Sequence, residues 1–222
     1  MATKIDEKMK VVSFLTEDVL KPAVEQIKAT ASEEKPESYQ IQISTKGYEN
    51  RKDPKMTKEI KFPFHMRLNP GSCAIGDAKA KEIADANGIP CVLIQEYEGK
   101  SEESKKKREK FLKNYTYFIL CPGYNKAFSL KEILMKKKTH FMCNAVEQLP
   151  AVYEACRFTY KVKVKDWFSI SFPVGHTQMP DTEVVENIKY GVQFLADNLK
   201  KGPMNIKDCY LKRTTGGKVK LY

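Results

Sequence analysis

Apolar residues recur at helical spacing over residues 5–28: Ile5, Met9 and Val12, then Val19, Leu20, Ala23, Val24 and Ile27. Thr16, followed by Glu17 and Asp18, stands where an N-cap would divide this run into two short helices. Residues 31–37 form a polar break. From Tyr39 the period drops to two: Tyr39, Ile41 and Ile43 alternate with Gln40, Gln42 and Ser44. That pattern predicts a strand with one buried face and one polar, uncharged face. A long basic loop from Gly47 to Lys58 leads to a second short strand near Ile60 and Phe62.

The pattern changes after Asn69-Pro70-Gly71. Residues 72–75 read as a buried strand, and Ala78 to Ala86 as a helix that Gly88 ends in the manner of a C-cap. Cys91 to Ile94 is a strand, residues 101–113 a charged helix, and Tyr115 to Leu120 a third strand. Strand and helix alternate, so this middle portion is expected to be a small α/β layer with parallel strands.

Near residue 157 the character changes back. Phe158, Tyr160, Val162 and Val164 alternate with polar or basic residues, Lys165-Asp166 reads as a turn, and Trp167 to Val174 as a second strand. Together they predict a β-hairpin. A long amphipathic helix follows from about Asp181 to Leu199, with an apolar stripe of Val184, Val185, Ile188, Val192, Leu195 and Leu199. Gly202-Pro203 stops it. Ile206 to Lys212 is a last strand, and Val219 to Tyr222 is placed to pair back with it. The order implies an α+β domain in two layers built from both ends of the chain, residues 1–68 and 157–222. An α/β domain, residues 69–156, is inserted between them.

Composition adds direction. The chain has 222 residues, enough to bury a core without disulfides or metal. Lys and Arg total 39 against 28 for Asp and Glu, a net charge of +11, which points to an anionic partner such as a phosphate backbone. The six cysteines form no C-x-x-C pair, and Met1 to Lys10 lack the apolar core of a secretory signal. A reducing, cytosolic setting is expected, with no membrane association.

Enzyme chemistry finds little footing. Gly71 and Gly76 have the spacing of a phosphate loop, but Asp77 and Ala78 follow where Lys and a hydroxyl are required. His65, His140 and His176 share no ligand spacing with one another or with cysteine. No catalytic residue, metal or cofactor is expected.

Basic residues are clustered. Lys105 to Lys110 and Lys136-Lys137-Lys138 read as solvated helix faces. Lys161, Lys163 and Lys165 alternate and so share one face of a strand. The run from Tyr210 to Tyr222 combines Lys212, Arg213, Lys218 and Lys220 with Thr214, Thr215, Gly216 and Gly217. Such hydroxyls and glycines suit close approach to phosphate or ribose.

Val174-Gly175-His176-Thr177-Gln178-Met179 with Asp181-Thr182-Glu183-Val184-Val185-Glu186-Asn187-Ile188 resembles the V-G-H/N-x-x-M-x-D-x-E-L/V-x-x-N-I stretch of the ribosomal protein L-one family (L-ten-a in eukaryotic naming). Asn205 to Tyr222 resembles the family's closing N-x-x-x-x-Y-[IL]-K-S-T-M-G-x-x-x-[KR]-L-Y. Glu37 to Ser44 resembles E-T-V-E-L-Q-I-S. The likeness is strong over residues 157–222, fair over 37–62 and weak between, where Cys121-Pro122-Gly123-Tyr124-Asn125-Lys126 resembles G-P-G-x-N-K.

The resemblance implies a Rossmann-like inserted α/β domain. It implies a structural constituent of the large ribosomal subunit that binds stalk rRNA and assists exit-site tRNA release, the inserted domain facing that tRNA. Other ribosomal components would be its neighbours. The implied RNA-binding residues are Glu37, Ser38, Gln40, Gln42 and Lys46; Gly175, His176, Thr177 and Met179; and Lys212, Arg213, Thr214, Thr215, Gly216 and Lys218. Removing Arg213 is expected to weaken binding and lower the salt slope by ~1. The sequence departs from the family at Thr215, which replaces Met, and at Gln40, which replaces Glu. The other reading is a nucleolar assembly or RNA-regulatory protein with the same type of domain.

Overall fold

A computed structural model describes residues 15–29, 37–67, 71–99, 101–126, 128, 139–164 and 166–222. The expected helical turns at residues 5–14, the polar break at 31–36, Asn69-Pro70, Lys136 to Lys138 and Lys165 lie outside the described residues. Contacts divide the chain into two compact units, Met1–Leu68 with Phe158–Tyr222, and Asn69–Arg157.

In the first unit, α1 (Glu17–Ala29) begins after Thr16, whose carbonyl accepts from Val19 and Leu20 N–H. Glu17 and Asp18 sit in its first turn, where the helix dipole favours negative charge. Leu20, Ala23, Val24 and Ile27 are buried, whereas Val19 falls off the stripe and is exposed. The strands β1 (Ser38–Thr45), β8 (Ser169–His176), β9 (Ile206–Arg213) and β10 (Lys218–Lys220) form one antiparallel sheet in the order β10-β9-β1-β8. One face packs against α1 and the long helix Asp181–Asp197. Tyr39, Ile41, Ile43, Ile170, Phe172, Cys209 and Leu211 are buried on it with the helix stripe Val184, Val185, Ile188, Val192 and Leu195. The period of two in the strands and of 3.6 in the helix thus meet in one core.

The expected hairpin between residues 158 and 174 does not form. β7 (Thr159–Lys163) pairs antiparallel with β2 (Thr57–Lys61) in a separate two-stranded ribbon, whereas β8 pairs with β1. The link between them is anchored elsewhere. Val164 N–H bonds to Met56 O and prolongs the ribbon, while the Trp167 carbonyl accepts from Thr45 Oγ1 and its ring stacks on Tyr48 at 4.1 Å between centroids. Lys161 and Lys163 therefore belong to the ribbon, not to the four-stranded sheet.

The second unit holds four parallel strands, β3 (Ser72–Gly76), β4 (Cys91–Leu93), β5 (Tyr117–Leu120) and β6 (Thr139–Met142), in the order β4-β3-β5-β6. β4 stops at Leu93, because Ile94 opens a short 3₁₀ turn, and β5 starts at Tyr117 rather than Tyr115. Alternate residues serve opposite faces. Cys73, Ile75, Phe118 and Leu120 pack with Phe111 and Leu112 of α3 (Glu102–Asn114). Ala74, Ile119 and Cys121 pack with Ala80 and Ala84 of α2 (Ala78–Ala86) and with Leu149 and Cys156 of α4 (Leu149–Phe158). Helices cover both faces of a parallel sheet, which is why its strands read as unbroken apolar runs. The helix Asp181–Asp197 is α5.

Candidate nucleic-acid interface

Among the described residues the helices of this unit pack on one face of the four-stranded sheet, and the outward residues of its strands share the other face. Register sets them in rows. Lys218, Lys212 and Gln40 stand abreast across β10, β9 and β1. The next row is Lys220, Tyr210, Gln42 and Ser171, and beside it Asp208, Ser44 and Ser169. Cations thus lie on the β9–β10 side, amides in the centre and hydroxyls on the β8 edge. Lys218 Nζ sits 4.7 Å from the Tyr210 ring centroid, Lys220 Nζ 3.2 Å from Asp208 Oδ1, and Gln42 Nε2 donates to Ser169 Oγ at 3.1 Å. Ser169 and Ser171 were not singled out from sequence, and Tyr210 and Lys220 were noted only as part of the closing run, although they share the parity of Gln40 and Lys212.

The sheet ends in a cluster of short polar loops. Glu37 donates its N–H to Thr177 Oγ1 at 3.2 Å, and its carbonyl accepts from Thr177 N at 3.0 Å. Thr214 Oγ1 donates to Ser38 O at 3.1 Å, and Thr215 N donates to Glu37 Oε2 at 3.3 Å. Glu37, Ser38, Thr177 and Thr214 to Gly216 are therefore neighbours, with Lys212 and Lys218 adjoining them on the open face. The Thr215 hydroxyl is the main cause that holds the Glu37 carboxyl below its usual range; burial opposes it, and the Thr215 N–H and then the Arg213 charge add smaller lowering effects.

Other residues of the sequence-derived set lie at a distance or turn inward, although His176 pairs with Ser38 and Gly175 with Tyr39. Lys46 follows the far end of β1, about 30 Å from Glu37 at ~3.3 Å per residue. Gly175, His176 and Met179 are buried, with Met179 in the helix-side core and the His176 ring 5.1 Å from that of His65. Arg213 is also buried. It keeps the inward parity of Leu211, two residues before it.

Among the described residues no cluster of His, Cys, Asp or Glu could hold a metal ion, and no helix is long and apolar enough to cross a membrane. The thiols of Cys73, Cys121 and Cys209 are pushed up to about 12 chiefly by burial, the opposite of what a nucleophile needs.

A profile of the Ribosomal protein L1p/L10e family matches residues 27–217. Among curated proteins, the chain is 37% identical over 213 residues to the large ribosomal subunit protein uL1 of Encephalitozoon cuniculi, covering 95% of this chain and 96% of that protein. It is 28% identical to the protein of that name from Entamoeba histolytica, covering 84% of this chain and 88% of that one. It is 27% identical to that of Oryza sativa subsp. japonica, covering 95% and 100%. The match spans both units of the fold, and on this evidence the chain belongs to the ribosomal protein L1p/L10e family.

Proposed function

We propose that this chain is a structural constituent of the large ribosomal subunit of the cytosolic ribosome. In this reading it binds stalk rRNA through the open sheet face and assists release of exit-site tRNA. The family is one of structural ribosomal proteins, not of enzymes. The observation that carries the finer reading is the row Lys218–Lys212–Gln40 running into the Thr214–Gly216 turn. Lysines abreast on a sheet set the register on phosphates, while amides, hydroxyls and exposed backbone address the folded shape of RNA. Residues 1–68 with 157–222 would act as the RNA-binding domain, and the insertion 69–156 would face tRNA.

The reading is tested by binding to deproteinised large-subunit rRNA over a series of salt concentrations. Lys212→Ala is expected to weaken binding and lower the slope of log K against log salt by about one, as for a lost phosphate contact. A wild-type chain that does not bind this RNA, or binds it no better than unrelated RNA of equal length, would contradict the proposal.

A further inference from the structure

Two residues of the closing run, Arg213 and Thr215, meet at a single carboxylate, that of Glu37. Arg213 Nε lies 3.0 Å from Glu37 Oε2, and the two side chains are only 10% and 13% exposed. Thr215 donates its N–H to the same oxygen at 3.3 Å. Glu37 is itself fixed through two backbone bonds to Thr177.

The turn closes over this pair. A Cβ added at Gly216 would lie 2.5 Å from Arg213 Nη2 and 2.7 Å from Cζ, well inside van der Waals contact. The guanidinium would have to shift to make room, and its ion pair with Glu37 opposes that shift. Arg213 Nε and Nη1 are both buried and neither makes a hydrogen bond among the described residues, so Nε meets Glu37 as an ion pair. A buried guanidinium offers no fork to a phosphate. A cation already neutralised by a carboxylate also releases no condensed counterions when RNA binds.

We propose that Glu37 and Arg213 form an internal latch that sets the conformation of the Thr214–Gly217 turn, so that both residues position the RNA-binding groups and neither touches phosphate. The inference rests on the rRNA-binding reading above and corrects its expectation for Arg213. Binding is carried by Lys212, Lys218, Thr214 and the exposed backbone of the turn, and the latch holds these in register with Gln40.

The test measures binding to deproteinised large-subunit rRNA against salt for the wild type, Arg213→Ala, Glu37→Gln, Gly216→Ala and Lys212→Ala. Hydrogen exchange at the Thr215 amide is followed in parallel without RNA. Arg213→Ala is expected to weaken binding about tenfold with an unchanged salt slope, whereas Lys212→Ala lowers the slope by about one. Glu37→Gln is expected to weaken binding as well, although removing a negative charge beside an anionic ligand would by Coulomb's law strengthen it. Gly216→Ala changes no charge and is expected to lose a similar factor. The Thr215 amide is expected to exchange slowly in the wild type and at least tenfold faster in Glu37→Gln. A slope that falls by one in Arg213→Ala, tighter binding by Glu37→Gln, wild-type binding by Gly216→Ala, or equal exchange at Thr215 would each overturn the latch. The exchange measurement decides the latch even if the wild-type chain binds no rRNA, a result that would sink the functional reading instead.

Discussion

Asn187 is fully buried on α5, and its carboxamide is spent on backbone. Nδ2 donates to Val174 O at 2.8 Å and Phe64 O at 3.2 Å, and Oδ1 accepts from Phe64 N at 3.2 Å. It ties β8 and the segment after β2 to the helix. Asn187→Ala leaves these groups without their partner, at about 1–3 kcal/mol. Urea unfolding should show a lower midpoint with an unchanged slope, and a midpoint within error of wild type would refute the tie. Glu37 belongs to the same scale. Its folded pKa lies below the ordinary 4.5, so the stabilisation it supplies is complete above that value and is lost as pH falls through the lower, folded one. The Glu37 carboxyl carbon should therefore titrate below 4.5 in NMR, and a midpoint at or above 4.5 would contradict the contacts described. The cysteines give a third check. With Cys73, Cys121 and Cys209 pushed up to about 12, the native chain should react with a thiol reagent at pH 8 far more slowly than the urea-unfolded chain. Equal rates would mean that these thiols are not buried.

At the scale of elements, α2 ends in a Schellman arrangement. Ile89 N bonds to Ala84 O, Gly88 N bonds to Asp85 O, and Gly88 has φ +65°. A side chain there must adopt the left-handed region, so Gly88→Ala should cost about 1–2 kcal/mol. Thermal melting followed by circular dichroism tests this, and a neutral effect would contradict the cap. This stop was legible because glycine after a helical stripe has few other uses. β1 and α5 were legible too, since their periods of two and 3.6 run long enough to be unambiguous. The partner of β7 was not. Alternation reports which face of a strand is buried, and two alternating runs beside a turn dipeptide look the same whether they pair together or each with a distant strand. At the interface, Gln40, Gln42 and Lys212 could be placed on one face by parity. The same parity argument, applied from Leu211, turns Arg213 inward. Motif likeness alone did not separate the exposed residues of this face from Arg213, His176 and Met179, which are buried.

For the whole molecule, a net charge of +11 makes association with polyanions easy and therefore weak evidence by itself. What separates a built interface from a basic surface is persistence at high salt, because shape-reading contacts survive when counterion release no longer favours binding. The most direct measurement is sedimentation of cell extract through sucrose gradients at moderate and at high salt, with the chain detected by antibody. Co-migration with the large ribosomal subunit that persists at high salt is the predicted result. Presence only in light fractions, or only in precursor particles, would contradict the ribosomal assignment and favour an assembly factor with the same type of domain.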